Sequence, residues 1–269
     1  MINFSKCLYT LLDQSFELSM TVKVILMVTL MLSCAAIAYL CGSVNSAVII
    51  SKLLYHDDIR KRGSGNAGAT NMLRTYGKVA AGLTLLGDMI KCAAAVIIGA
   101  LLWVDGAYIA GVFCVIGHVF PCWHGFRGGK GVAVTAMVVV LTSPIVFVIL
   151  LAVFLLVLLG TKYVSLASIM AALLYPVFMS SWNTVVHDEG NLNVVMAFLQ
   201  TAIILVMHRE NIKRLLNQTE PKISWHLDRK SKDTGEQADK AQSPVTPDED
   251  MMPHYVERKK KKKGKKGKK

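Results

Sequence analysis

Charge is what this 269-residue chain has least of over most of its length: between residues 131 and 187, Lys162 alone is a Lys, Arg, Asp or Glu. Such uncharged stretches, with 53% hydrophobic residues and a mean hydropathy of +0.45, exclude a soluble domain. Cysteine offers no chemistry, because Cys7, Cys34, Cys41, Cys92, Cys114 and Cys122 form no CxxC pair and have no metal-ligand spacing. They read as small packing residues rather than a disulfide framework or a zinc site. No paired carboxylates or metal cluster stand out at the glycine-rich and basic polar clusters, and the Asp-rich metal motif of a phosphotransferase is missing, so no metal and no cofactor is expected. A Gly-x4-Gly-Lys-Ser/Thr run is missing as well, and a nucleotide is not implied. No small-x-small cleavage site follows the apolar run from Val24 to Cys41, which reads as a retained helix rather than a removed leader. No internal repeat is evident.

What the chain does have is a series of apolar runs. A spanning helix needs about 20 apolar residues, fewer if it is sheltered by neighbours. The runs predict spans at 22–50, 79–104, 107–123, 131–142, 145–160, 163–182 and 192–207, seven helices of which two are short. Breaks at Asp105-Gly106, at Thr142-Ser143-Pro144, at Gly160 to Lys162 and at Asn183 to Asn191 carry turn or helix-end chemistry. Lys52, Arg60, Lys61, Arg62, Arg74 and Lys78 fall in one loop, Arg127 and Lys130 in another and Lys162 in a third, while the intervening loops hold no Lys or Arg. The positive-inside rule then places the N-terminus outside and the C-terminus in the cytoplasm. The expected fold class is an all-α integral membrane protein of about seven transmembrane helices, divided into an N-terminal segment 1–21, a membrane domain 22–222 and a tail 223–269.

The tail has its own character. The formal net charge is +12, and residues 208–269 hold 18 Lys and Arg against 10 Asp and Glu. With Pro244, Pro247 and Pro253 and no hydrophobic periodicity the tail is expected to be disordered. Its lysine-rich end suits anionic lipid, at ~1 kcal/mol per basic residue near the surface.

Three polar clusters interrupt the apolar chain, and the charge pattern puts all three on one face. The first, Gly63-Ser64-Gly65-Asn66-Ala67-Gly68-Ala69-Thr70-Asn71, follows Arg60, Lys61 and Arg62. Its glycines let the backbone approach an anion, and its Ser, Asn and Thr side chains add hydrogen bonds. The second, Arg127-Gly128-Gly129-Lys130-Gly131, leads into a helix from Val132, so that free amides, a positive helix end and a lysine would meet an anion. In the third, His208-Arg209-Glu210-Asn211, the imidazole and the amide lie one helical turn apart at the end of the last helix. Each alone can be read as an interfacial loop carrying positive-inside charge. Asp88 and Lys91, spaced i, i+3 inside the second span, read as an ion pair bracing the helices.

At these clusters the chain resembles the bacterial acyl-phosphate-dependent glycerol-3-phosphate acyltransferases, the PlsY family, over roughly residues 22–222. The resemblance is carried by Asp58 to Asn71, by Gly117-His118-Val119-Phe120-Pro121 with Phe126-Arg127-Gly128-Gly129-Lys130-Gly131, and by His208 to Leu215. Arg127 stands where lysine is common in the family. The resemblance implies transfer of a fatty acyl group from acyl phosphate to the sn-1 hydroxyl of glycerol 3-phosphate, giving lysophosphatidic acid and phosphate at the cytoplasmic face of the bacterial inner membrane, with no cofactor. His208, Asn211, Arg60 and Ser64 would then be catalytic. Ser51, Asn66, Asn71, Arg127, Gly128, Gly129, Lys130, Gly131 and Ser165 would bind substrate. The implied partners are the two substrates, membrane lipids and the enzyme that makes acyl phosphate, with no nucleic acid. None of the seven histidines has Asp five positions later, which disfavours the His-x4-Asp general base of many glycerolipid acyltransferases. Whether His208 or a substrate phosphate takes the proton stays open at this level. A multi-pass transporter or flippase for an anionic lipid is the alternative reading of the same clusters.

Overall fold

The computed structural model describes residues 7–16, 18–186 and 191–223, and regular structure within them is helical. The expected disorder of the tail and its lysine-rich end lies outside the described residues. In chain order the helices are α1 (Leu8–Phe16), α2 (Met20–Ser43), α3 (Ser46–Tyr55), α4 (Ala69–Tyr76), α5 (Lys78–Leu102), α6 (Gly106–Val119), α7 (Val132–Thr142), α8 (Pro144–Thr161), α9 (Val164–Val186), α10 (Leu192–Met207) and α11 (Arg209–Leu216). Among the described residues five stretches are long and apolar enough to cross a membrane, and a sixth if α10 and α11 count as one. At 11 residues α7 reaches about 16 Å, roughly half of a hydrocarbon core.

Two of the expected spans differ in detail. The run at 22–50 is two helices, because the Asn45 side chain accepts the Val48 amide at 3.0 Å and starts α3 afresh. The last span does not carry the third cluster on one helix. The chain bends by 58° between α10 and α11, with His208 in the bend and Asn211 in the first turn of α11.

The packing follows what lipid demands. Outward faces are apolar, as at Ile145, Val148, Leu155, Leu156 and Leu159 of α8. Inward faces carry small residues that let backbones approach. A Cβ on Gly117 of α6 would fall 2.2 Å from the Tyr39 carbonyl of α2, and one on Gly42 would fall 2.2 Å from that of Cys114. Cys34, Cys92 and Cys114 are buried in the same core as free thiols. This α2–α5–α6 unit is the rigid floor against which the polar loops fold.

Candidate active site

The first cluster is ordered by its own side chains. Asp58 caps a 3-10 turn at Ile59–Lys61 and grips Arg60 through Nε at 3.0 Å and Nη2 at 2.7 Å. That guanidinium holds the Asp58 carboxyl down at about 2, and the Arg60 Nη1 donates to the His124 carbonyl at 2.7 Å. Asn71 staples the loop: its Nδ2 donates to the carbonyls of Ile59, Arg62 and Asn66, and its Oδ1 accepts the Ser64 amide at 3.0 Å. Ser51 is buried beneath, donating to the Val48 carbonyl and accepting the Ile59 amide.

The second cluster is a turn docked on the end of α6. The Gly128 and Gly129 amides donate to the Val119 and His118 carbonyls, each at 3.1 Å. They are spent on protein, not open to an anion as the sequence led us to expect, and the amides left for a ligand are those at the start of α7. A Cβ on Gly128 would lie 1.9 Å from the His118 carbonyl oxygen, and one on Gly129 would lie 2.1 Å from the His118 ring. Glycine is therefore needed here for close approach. At Gly131, which caps α7 with φ 84°, it is needed for conformation.

The third cluster meets the second through a carboxylate that sequence reasoning missed. Lys130 Nζ donates to Asn211 Oδ1, and Asn211 Nδ2 donates to Glu220 at 2.7 Å. Glu220 also accepts from Ser165 Oγ and Arg214 Nε, both at 2.7 Å. Burial works against the Glu220 charge, but those three donors outweigh it and hold the carboxyl below its usual range. Burial also brings Lys130 down to about 8, with Glu220 opposing the shift and Arg214 and Arg74 adding to it. His208 is buried and pushed down to about 4, chiefly by desolvation, partly offset by its Nδ1–H donating to the Ile204 carbonyl at 2.8 Å. It is thus a neutral imidazole whose Nε2 lone pair is the acceptor it presents.

All three clusters open on one cavity of about 520 Å³. Of the residues picked from sequence, Ser64, Asn66, Asn71, Lys130, Gly131, Ser165, His208 and Asn211 line it. Arg60, Ser51, Arg127, Gly128 and Gly129 do not: Arg60 and Ser51 brace the first loop, Gly128 and Gly129 dock the second, and Arg127 is exposed. Arg74 and Arg214 join the lining. Both were findable, since each follows a cluster asparagine by three residues on one helix face. Glu220 had no such signal, because it lies in an irregular segment after α11. Below the polar end the wall turns apolar, with Phe147, Leu150, Leu151 and Phe154 of α8 and Tyr175 of α9. Among the described residues no group of three His, Cys, Asp or Glu could hold a metal ion.

A helical membrane bundle with a cationic, hydrogen-bonding cavity running into an apolar slot is the class of protein that handles a ligand with one anionic and one aliphatic end. The chain belongs to the glycerol-3-phosphate acyltransferase family, whose model matches residues 32–218. It is 44% identical over 190 residues to the glycerol-3-phosphate acyltransferase of Bacillus subtilis (strain 168), covering 70% of this chain and 95% of that one. Among solved structures it resembles PlsY, an integral membrane glycerol 3-phosphate acyltransferase, in its glycerol 3-phosphate form, with TM-score 0.64, 35% identity and coverage of 72% of this chain and 96% of that one. The lysophosphatidic acid form of PlsY matches with TM-score 0.62 and 34% identity over 72% and 95%.

Proposed function

We propose that this protein transfers a fatty acyl group from acyl phosphate to the sn-1 hydroxyl of glycerol 3-phosphate, giving lysophosphatidic acid and inorganic phosphate, at the cytoplasmic face of the bacterial inner membrane. The observation that carries the reading is the continuity of one cavity from Lys130, Arg214 and His208 to the apolar wall of α8. Phosphates suit the cationic end, and an acyl chain suits the slot. The basic residues around that end, Arg74, Lys130, Lys162 and Arg214, support its cytoplasmic orientation.

In this reading the hydroxyl oxygen attacks the acyl carbonyl carbon, the carbon–oxygen bond to phosphate breaks, and the hydroxyl proton leaves. Acyl phosphate is already activated, so the residues align and neutralise. Lys130 and Arg214 balance phosphate charge, Ser64, Asn66 and Ser165 add hydrogen bonds, and Asn211 steers Lys130. With a pKa near 4, His208 is a weaker base than a phosphate, whose second pKa is about 6. It orients the hydroxyl through Nε2, and the phosphate takes the proton.

The test is conversion of labelled glycerol 3-phosphate by purified protein in detergent with EDTA, given palmitoyl phosphate or palmitoyl-CoA in parallel. Lysophosphatidate from the phosphate donor alone is the expected result. Product from palmitoyl-CoA alone would overturn the donor assignment, and folded protein inactive with both would restore the transporter reading.

A further inference from the structure

The apolar slot has a floor. On α9 the cavity is lined by Ser165, Ser168, Ala172 and Tyr175, spaced by three and four residues along one helix face, and on α7 by Gly131, Thr135 and Val139 in the same way. Among the described residues neither helix lines it farther on. The reason lies in the sequence of α7. Ser143-Pro144 ends that helix after 11 residues, with proline opening α8, so the chain turns back roughly halfway across the bundle. The turn is packed against α9, where Ser143 Oγ donates to Met179 Sδ at 3.4 Å, one helical turn beyond Tyr175. Val139, Tyr175 and Met179 are 2%, 2% and 1% exposed and share one cluster with Val146 of α8, so a chain that reaches them meets packed side chains.

The polar end of the cavity fixes where the acyl carbonyl sits, so the distance from there to the floor sets how much chain fits. From Ser165 to Tyr175 the helix rises about 15 Å. An extended chain advances about 1.2 Å per bond, as the span of an extended polypeptide shows, so the slot takes on the order of twelve bonds. A longer chain must kink or leave sideways, at the cost of overfilling a packed core. We propose that Tyr175 and Val139 form a gauge that sets the acyl-chain length this protein prefers. The proposal rests on the acyl-transfer reading for the identity of the chain. In detergent or lipid the chain is already out of water, so a carbon that fits gains little, and the gauge shows as a loss beyond the floor.

Competition between donors tests it. Full-length protein in detergent is given labelled glycerol 3-phosphate with equimolar pairs of acyl phosphates from decanoyl to octadecanoyl, and the lysophosphatidates are resolved by mass. The product ratio within one tube reports relative kcat/KM and does not depend on how much of a variant is folded. In the parent the longer donor is expected to lose by about 5- to 100-fold once it outgrows the floor, between dodecanoyl and hexadecanoyl. Tyr175→Ala deepens the slot and moves that fall about four carbons longer, whereas Val139→Phe raises the floor and moves it about two carbons shorter. Either variant alone, if the other fails to fold, still shows a displacement of the stated direction. A fall that stays at the parent's length in the folded variants, or a parent that takes every length equally, would overturn the proposal. Folded parent inactive with every donor would count against acyl transfer only. The rise in melting temperature given by lysophosphatidates of the same lengths then locates the floor by binding, and the same displacements in the variants are expected. Their absence there would overturn the gauge.

Discussion

Lys130 keeps its charge against its surroundings. Burial lowers it to about 8, so in the free protein the ammonium is lost as pH rises through that value. If Lys130 must be charged to hold phosphate, kcat/KM falls on the alkaline side near pH 8, and Lys130→Arg, whose guanidinium stays protonated, removes that fall from the accessible range. His208 contributes no acid limb near its ordinary 6.5, because it is neutral down to about 4. Glu220 tests the network more sharply. Its charge opposes the downward shift of Lys130, so Glu220→Gln moves the alkaline fall to lower pH. The same change misplaces Ser165, Asn211 and Arg214, for a loss in kcat/KM of about 10- to 100-fold, the equivalent of one charge-assisted hydrogen bond. A fall in activity with no movement of the pH profile would leave Glu220 a merely structural residue. Gly129→Ala, which drives a methyl group into the His118 ring, is expected to cost about 1–3 kcal/mol of stability in thermal unfolding and to abolish turnover.

At the scale of elements, length and apolarity made the spans readable, and what escaped was what depends on partners. Val44 and Asn45 sit in a run without charge from Val24 to Ser51, so the break between α2 and α3 shows only once Asn45 is seen capping α3 and Lys91 is seen taking the Val44 carbonyl. The glycine turn was legible as an anion-binding sequence, yet the direction of its amides was not. Gly128 and Gly129 turn theirs to Val119 and His118 of α6, and no local rule anticipates partners so far upstream. Lys130, His208 and Asn211 were recognisable as polar groups at helix ends, where charge in an apolar chain needs a reason. The apolar slot was not recognisable, because α8 is apolar on every face and its sequence does not tell lipid from ligand. Leu150 lies on the slot side and is 8% exposed. Leu150→Trp should therefore shorten the slot, lowering kcat/KM for palmitoyl phosphate by about tenfold relative to decanoyl phosphate, on the order of 1–2 kcal/mol of lost chain burial, with KM for glycerol 3-phosphate unchanged.

Across the whole molecule, the site closes with the segment that follows α11. The Ile223 amide donates to the Lys162 carbonyl at 2.8 Å, Arg74 Nη2 donates to the Pro221 carbonyl at 3.2 Å, and Lys222 Nζ stands 5.3 Å from the Tyr163 ring centre. Residues 219–223 therefore tie α4 and the start of α9 to α11 while carrying Glu220 into the cavity. The chain beyond, residues 224–269, holds 14 Lys and Arg against 8 Asp and Glu. Two truncations divide these roles. Ending the chain after Ile223 is expected to leave detergent turnover within about twofold and to remove any rate advantage in vesicles of anionic over zwitterionic lipid, an advantage that ~1 kcal/mol per basic residue near the surface supports. Ending it after Asn217 deletes Glu220 and the ties to Lys162 and Arg74, and turnover should fall in both settings. Equal activity of the two truncated proteins in detergent would show that the network around Glu220 is dispensable, and the account of how Lys130 and Asn211 are held would have to be withdrawn.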